Sequence, residues 1–284
     1  MIEAALRPRG PYSLRLSTRH ASDATRVVID GRLTAALVVA GRIEHVAARQ
    51  RPDGVICVTA ESEEAVERLR FVLGLDDDHS PFLQRFAADP MLGETIRRLR
   101  GLRPIRLDTV VHALLRALCG QLIQARRARA IEQRVIRTAM PERGGLHAPP
   151  DSASLGRFSP AELRALGLGG PRASALVRLC RSLDLERLKA VPTEAAAQRL
   201  LREPRLGPWS IGVVCLQGLG RTERGLVGDL GLVKLCSALR ERWVEAWETA
   251  ELLEPYGEWA GLASVYLLAG FRQGLVPLPR AAAA

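Results

Sequence analysis

Short runs of alternating or β-branched apolar residues dominate the first sixty positions of the chain and predict strands rather than helices. Two Asp-Gly pairs, Asp30-Gly31 and Asp53-Gly54, have the composition of tight turns between such strands. The predicted strands cover residues 12–17, 26–29, 35–39 and 55–59. The pattern therefore predicts strands joined by hairpin turns at the N-terminal end of the chain.

The period changes to that of a helix over residues 60–75, where glutamates lie in the first turn. One face of this helix is apolar and consists of Val66, Leu69, Val72 and Leu73. Residues 1–79 are therefore predicted to form a small α+β module. The acidic run 76–78 marks its boundary, and we interpret it as a linker or helix cap, because such runs are more often solvated than metal-binding.

From Phe82 onwards the apolar residues follow a helical period to the end of the chain. Residues 107–139 contain two helical stretches, interrupted by Gly120 and Gln121, and residues 159–162 have the sequence of a capping box. Residues 229–271 hold six of the twelve aromatic residues, most of which we expect in the core. The pattern predicts a mainly α second domain over residues 80–284.

The charge of the chain is unevenly placed. Residues 1–85 carry twelve basic and twelve acidic side chains, so the net charge of +10 belongs to the remainder. Arginine supplies nearly all of it, since Lys189 and Lys234 are the only lysines. A basic second domain is typical of proteins that bind polyanions. A GC-rich genome that favours arginine codons explains part of the excess, but not its confinement to one part of the chain.

Composition excludes several classes of protein. The sequence has no apolar run of eighteen residues, so we expect no membrane span, and its first residues lack a signal core, so we expect a cytosolic protein. The five cysteines contain no CxxC pair, which indicates reduced buried thiols rather than disulfides, an iron–sulfur cluster or a metal knot. The five histidines also lack ligand spacing, so no metal site is predicted.

The segment 203–214 carries the most specific signal. Residues 203–208 cannot continue a helix, because Pro204 and Pro208 lack N–H groups and Gly207 can adopt φ > 0. A new helix is predicted from Pro208, and the free N–H groups at such a helix start bind anions. About twenty residues later, Asp229 lies at the start of another helix, where the dipole stabilises a carboxylate. An anion-binding turn followed by one placed acid indicates chemistry on a phosphate polymer.

These residues resemble the helix–hairpin–helix DNA glycosylases, and most closely the DNA-3-methyladenine glycosylase II type. Pro204, Leu206, Gly207, Trp209 and Ser210 match the hairpin of that family, and residues 228–232 match its catalytic-aspartate segment. The resemblance covers roughly residues 80–275 and, more loosely, the N-terminal module. It implies an α+β N-terminal module followed by a mainly α helix–hairpin–helix glycosylase domain.

The resemblance implies a role for each matching residue. Asp229 would be catalytic, and it could cap its helix at the same time. The residues implied to contact the damaged base are Gln121, Trp209, Val213 and Trp259. The residues implied to contact DNA are Leu122, as a wedge that fills the gap left by the flipped base, and Arg126, Arg205, Leu206, Gly207 and Ser210. The alternatives are that Gln121 caps a helix, that Leu122 is core, and that Trp259 is core.

Three residues differ from those of family members and change what the resemblance implies. Trp209 stands where family members with lyase activity have a lysine, so the enzyme is expected to leave the DNA strand intact. Its indole could stack on a cationic alkylated purine. Arg205 replaces the first hairpin glycine, where it either adds a phosphate contact or perturbs the turn. Val213 replaces an aromatic residue and should make the pocket roomier.

The function implied by the resemblance is that of a monofunctional DNA glycosylase, which flips alkylated purines of the 3-methyladenine type out of duplex DNA and removes them in base excision repair. Its expected partner is double-stranded DNA with damaged bases, and it is expected to act as a monomer in the cytoplasm at the nucleoid. No cofactor is expected, although the family hairpin can hold a monovalent cation through backbone carbonyls. Two alternatives stay open: a non-catalytic helix–hairpin–helix DNA-binding protein, and a glycosylase for oxidised or deaminated bases.

Overall fold

A five-stranded antiparallel sheet with the strand order β1-β5-β4-β3-β2 forms the N-terminal layer of the protein. The computed structural model describes residues 1–121 and 124–279. One face of the sheet packs on helix α2, and their apolar side chains form a core of their own. The elements of this layer are β1 (Ile2–Leu6), α1 (Leu14–Thr18), β2 (Arg26–Ile29), β3 (Arg32–Val39), β4 (Arg42–Gln50), β5 (Ile56–Ala60) and α2 (Glu63–Leu73).

Three of the four predicted strands are confirmed, as β2, β3 and β5. The strand predicted at residues 12–17 is wrong: Ser13 accepts a hydrogen bond from the Leu16 N–H and begins the short helix α1. A single turn is too short to show a helical period, so the alternation there was misleading. Strands β1 and β4 were not predicted, because their charged and apolar residues do not form a β-branched run.

The predicted turn at Asp30-Gly31 is confirmed, and the structure adds a cap at each end of helix α2. Asp30 and Gly31 both have positive φ, 49° and 73°, in the two-residue turn that joins β2 to β3. Helix α2 begins after Ser62, whose side chain accepts from the Ala65 N–H, and ends at Gly74 with φ of 62°. Local residue chemistry therefore sets these boundaries.

Helices follow from residue 80 onwards, as predicted, interrupted by one small hairpin at residues 142–147. Four of the five cysteines are buried, and Cys57 is half-buried. Within the described residues, no helix is both long and apolar enough to cross a bilayer. The helices are α3 (Ser80–Arg85), α4 (Gly93–Arg98), α5 (Val110–Gly120), α6 (Ala125–Ala139), α7 (Ser152–Gly156), α8 (Pro160–Ala165), α9 (Gly170–Ser182), α10 (Thr193–Leu201), α11 (Pro208–Val214), α12 (Leu230–Arg240), α13 (Thr249–Leu253) and α14 (Ala260–Arg272), and the hairpin strands are β6 (Glu142–Arg143) and β7 (Leu146–His147).

Helix α5 lies at the centre of the helical part and is buried at nine of its eleven positions. Helix α11 and the π-helical turn Cys215–Leu219 that continues it pack against α5. The approach is close, since a Cβ on Gly218 would lie 2.8 Å from the Cβ of Ala113. Because α5 ends at Gly120, this packing brings Gly120 and Gln121 next to the start of α11.

Ion pairs and hydrogen bonds hold the chain at the predicted boundary near residue 79. Asp78 accepts from the Ser80 N–H at 2.8 Å, and Asp76 accepts from Arg70 at 2.6 Å. The side chain of Arg103 is buried and donates to backbone carbonyls of the N-terminal module, including that of Gly74. The N-cap of α3 is His79, which makes no side-chain cap bond, so the acidic run forms ion pairs and one turn hydrogen bond rather than a helix cap. A domain division at residue 79 stays a prediction.

Five buried charged or ionisable side chains fasten the N-terminal module to α5 and α6. Arg116 of α5 donates to Asp23 at 2.7 Å and to Glu132 at 2.9 Å, and His112 lies 2.8 Å from Glu132. Arg26 lies 3.2 Å from Asp23. Burial alone would raise the pKa of Asp23, but the guanidinium groups of Arg26 and Arg116 outweigh it and hold that pKa well below its ordinary value.

The residues of this cluster are far apart in the sequence, so their spacing could not reveal it. The cluster matters for the expectation that no metal is bound. Asp23, His112 and Glu132 could each offer a metal ligand, and their ligand atoms lie within 4.8 Å of one another. However, Arg116 Nη2 lies 2.7 Å from Asp23 and 2.8 Å from Glu132, so a guanidinium already neutralises both carboxylates. The geometry is that of an ion-pair network.

Replacing Arg116 by methionine should lower the free energy of unfolding by about 3–5 kcal/mol, because two buried carboxylates lose their shared partner. The measurement is the urea-unfolding midpoint. Arg127→Met, at an exposed position of α6, is the matched control and should change stability by less than about 0.5 kcal/mol. Equal stability of the two variants would contradict this account of the network.

Candidate active site

Asp229 precedes helix α12 and caps it. Its Oδ1 accepts a hydrogen bond from the Gly231 N–H at 2.8 Å, which confirms the capping prediction. The preceding Gly228 has φ of 85° and donates its N–H to Thr249 Oγ1 at 2.7 Å. The backbone in front of the acid is therefore fixed on both sides. Asp229 itself is half-buried, so its carboxylate stays within reach of a ligand.

The second carboxylate oxygen of Asp229 binds the hairpin. Trp209, the second residue of α11, donates its indole Nε1–H to Asp229 Oδ2 at 3.0 Å. The opposite edge of the indole lies against Gly120, where an added Cβ would be 2.6 Å from Cη2. The residue at 120 must therefore be glycine for the indole to take this position. Trp209 connects the end of α5 to the acid.

Gln121 also binds the hairpin. Its Nε2 donates to the Arg205 carbonyl at 2.7 Å and to Ser210 Oγ at 2.9 Å. The backbone carbonyl of Gln121 accepts from Arg172 at 2.9 Å. Gln121 occupies the position that follows α5, but its side chain serves the hairpin rather than its own helix. Its implied contact with a target base stays a prediction.

The hairpin turn itself spans residues 203–207. Leu206 is buried and donates its N–H to the Glu203 carbonyl at 2.9 Å. The Glu203 carboxylate is also buried and is held by two hydrogen bonds from Arg178, of 2.9 and 2.8 Å. Pro208 begins α11 as predicted. Gly207 does not use the positive φ that is open to glycine, since its φ is −94° and its ψ 179°, an extended conformation. The turn needs no left-handed residue here, because the two prolines already end one helix and start the next.

This chain is similar to known proteins in sequence and in fold, although no protein-family model matches it. A curated "DNA-3-methyladenine glycosylase" of Bacillus subtilis (strain 168) is 24% identical over 216 residues, which cover 72% of this chain and 71% of the relative. The solved structure of a 3-methyladenine DNA-glycosylase from Archaeoglobus fulgidus superimposes with a TM-score of 0.82 at 22% identity, over 96% of this chain and 98% of that one. The chain is thus similar in sequence to the first of these glycosylases and has the fold of the second.

A second solved glycosylase has the same fold. An 8-oxoguanine glycosylase/lyase of Clostridium acetobutylicum, in complex with double-stranded DNA, superimposes with a TM-score of 0.76 at 17% identity, over 93% of each chain. At this identity the likeness establishes the fold alone. The predicted fold class, an α+β module followed by a helix–hairpin–helix glycosylase domain, is confirmed.

The structure divides the predicted DNA contacts of this glycosylase fold into exposed and buried groups. Arg126, Arg205 and Gly207 are exposed. Leu206 and Ser210 are 3% and 2% exposed, and the Ser210 hydroxyl is bound to Gln121. The side chains of Leu206 and Ser210 therefore stabilise the hairpin, and only their backbone groups could contact DNA. Leu122 lies outside the described residues.

Arg205 does not strain the turn. It is absent from the non-glycine residues with positive φ, which among the described residues are Asp30, Ala40 and Glu241. The replacement of a glycine by Arg205 is therefore compatible with the hairpin, and its side chain is free to meet a phosphate. The hairpin carbonyls of Glu203, Arg205 and Gly207 each accept a hydrogen bond from the chain. One lone pair per carbonyl is left for the expected monovalent cation, which stays a prediction.

The remaining predicted base contacts differ in burial. Val213 is 6% exposed. Trp259 is half-buried, and its ring centroid lies 5.9 Å from that of the buried Phe82, so it packs on the core. Its place beside a base pocket stays a prediction. Of the six C-terminal aromatics, most of which we expected in the core, Trp243 and Trp247 are 64% and 65% exposed. They lie on the segment between α12 and α13.

The sequence did not indicate the residues that bind the backbone next to Gln121 and Asp229. Arg172 donates to the Gln121 carbonyl and so satisfies the end of α5. Thr249 is fully buried and accepts from the Gly228 N–H. Neither position carries a local signal, since the partner of each is distant along the chain.

The space around Gly120 and Gly207 predicts that alanine destabilises the protein at the first position and has little effect at the second. Gly120→Ala should lower the free energy of unfolding by about 1–3 kcal/mol, because the new Cβ collides with the Trp209 ring. Gly207→Ala should change it by less than about 0.5 kcal/mol, since nothing lies within 4 Å of its Cβ position. Thermal unfolding measures both, and a Gly120→Ala protein as stable as wild type would refute the close contact with Trp209.

Proposed function

We propose that this protein is a monofunctional DNA glycosylase that hydrolyses the N-glycosidic bond of alkylated purines in duplex DNA. The observation that carries the proposal is Asp229, a reachable carboxylate whose two oxygens are held by the Gly231 N–H and the Trp209 indole. A solved glycosylase with the same fold is in complex with double-stranded DNA, which supports a duplex as the partner of this chain. The names of the similar proteins point to the same class of substrate, 3-methyladenine.

The reaction breaks the bond between C1′ of the sugar and a ring nitrogen of the base, and the bonding electrons leave with the base. Positive charge then develops on the sugar, and the Asp229 carboxylate stabilises it. Water adds to C1′ and loses one proton, which Asp229 or solvent accepts. The products are a free base and an abasic site in an uncut strand.

The chemistry of Trp209 supports hydrolysis without strand cleavage. Its indole has no amine that could form a Schiff base with C1′, so the second step of a glycosylase/lyase has no nucleophile at this position. An alkylated purine is cationic and therefore leaves easily as a neutral base, so modest stabilisation by one carboxylate suffices. Undamaged bases lack that advantage, which favours damaged purines as substrates.

Electrostatics supports binding to a duplex. The exposed arginines Arg126, Arg127 and Arg205 flank the two segments that Gln121 joins, the turn after α5 and the hairpin. Their pairing with phosphates would release counterions, so the affinity should fall as salt rises. The proposal includes flipping of the base with Gln121 and Leu122 replacing it in the duplex. We also propose that the protein acts as a monomer on chromosomal DNA.

Replacing Asp229 by asparagine should reduce the release of 3-methyladenine from methylated duplex DNA by about 100-fold or more, because the stabilising charge is lost. Asparagine keeps the helix cap, so the fold and the affinity for duplex should be retained. Chromatography of the free base and gel analysis of the strand, which should stay intact before alkali, provide the measurement.

Asp151→Asn is the matched control, since Asp151 caps helix α7 in the same way and accepts from the Ser154 N–H at 2.7 Å. It should release base like wild type. If wild type and Asp229→Asn bind duplex but neither releases any base from alkylated, oxidised or deaminated DNA, the protein is a non-catalytic binding protein. Release of oxidised or deaminated bases alone would reassign the substrate.

A further inference from the structure

We propose that Trp209 acts as a positioning residue for Asp229, and that its indole N–H rather than its ring face is the group that hydrolysis requires. The inference rests on the proposed function and deepens it. It gives Trp209 a role other than stacking on the flipped base. Four contacts, which involve Asp229, the indole and the hairpin, support this proposal.

The first two contacts belong to the carboxylate. Asp229 Oδ1 is bound by the Gly231 N–H of its own helix, and Oδ2 by Trp209 Nε1 of another helix. A carboxylate with one fixed donor can still rotate about that hydrogen bond. Two donors on separate elements, one for each oxygen, fix the plane of the group. The lone pairs that the donors leave unused then point in a constant direction.

The third contact fixes the indole. The six-membered ring of Trp209 lies against Gly120, so a shift of the indole towards α5 is blocked. Gly120 ends α5, and Arg172 donates to the carbonyls of Leu118 and Gln121 at that end. The surface that supports the indole is therefore part of the most buried helix of the protein.

The fourth contact sets the distance between α5 and α11. The Gln121 side chain donates to the Arg205 carbonyl, which precedes Trp209 in the hairpin, and to Ser210 Oγ, which directly follows Trp209. The amide and the indole thus close a small ring of contacts around residues 120, 121, 209 and 210. Since one edge of the indole binds Asp229 and the opposite edge meets Gly120, both edges of Trp209 already have structural partners.

Two substitutions separate the N–H from the ring face. Trp209→Phe keeps an aromatic face but removes the donor, and 3-benzothienylalanine at position 209 keeps the bicyclic shape with sulfur in place of N–H. Both should slow base release under single-turnover conditions by about 10-fold to 100-fold, as expected for loss of a hydrogen bond to a charged group. The Kd for the same duplex should stay within about 3-fold, because the donor acts on Asp229 and not on bound DNA.

Trp243→Phe is the matched control, since Trp243 is an exposed indole elsewhere on the chain, and it should leave the rate unchanged. Gly120→Ala keeps the indole but displaces it, and should slow release in the same direction. A benzothienyl protein as fast as wild type would overturn the proposal. So would a loss in Trp209→Phe that lies wholly in Kd, which is the result expected of a stacking residue.

A second readout does not depend on activity. The indole N–H cross-peaks of the four tryptophans can be resolved by 15N-labelled NMR, with Trp209→Phe assigning the peak of Trp209. Replacing Asp229 by alanine should shift the Trp209 peak upfield and leave those of Trp243 and Trp247 in place. An unmoved Trp209 peak overturns the contact. If wild type releases no base, the proposed function fails, and this peak still decides whether Trp209 holds Asp229.

Discussion

One hydrogen bond, from the Trp209 indole to the Asp229 carboxylate, joins the two halves of the candidate site. The hairpin and helix α12 are separate elements, and this bond makes the position of the acid depend on the position of the hairpin. The hairpin in turn depends on α5, through the contact of Trp209 with Gly120 and the bonds of Gln121. A protein that binds DNA through its hairpin would therefore place its acid relative to the duplex by the same contacts.

The rigidity of α5 comes from its other end and its flanks. Arg116 on this helix is the shared partner of Asp23 and Glu132, which belong to the N-terminal layer and to α6. Buried ion pairs add little net stability compared with apolar residues, but they tolerate few alternative arrangements. Their place here, between the sheet module and the two helices around the Gln121 turn, suits a scaffold that must hold one geometry. Close helix contact at Gly218 adds to it.

Local chemistry made part of this structure predictable. The caps at Ser159 and Asp229 and the turn at Asp30 were expected, because each needs only residues within a few positions of one another. Asp229 itself was chosen as the acid because residues 228–232 resemble the catalytic-aspartate segment of a known family. The short helix α1 shows the limit of the same reasoning, since six alternating residues fit either a strand or a single capped turn.

The contacts that make a site of these residues are long-range. Trp209 and Asp229 are 20 residues apart, Gln121 and Ser210 are 89 apart, and Arg116 and Asp23 are 93 apart. No periodicity encodes such pairs. The sequence therefore indicated the parts of the site, but not that Trp209 would donate to the acid or that Gln121 would bind the hairpin. From the sequence, both side chains were expected to contact the damaged base. The structure shows which groups of the protein they bind.

The central claim is that Asp229 and Trp209 form one catalytic unit, and a double-mutant cycle tests it most directly. Single-turnover rates of 3-methyladenine release would be measured for wild type, Asp229→Asn, Trp209→Phe and the double variant. The account predicts that the double variant is no slower than Asp229→Asn alone, since the donor has no role without its carboxylate. Losses that multiply in the double variant would show that the two residues act independently, and would contradict it.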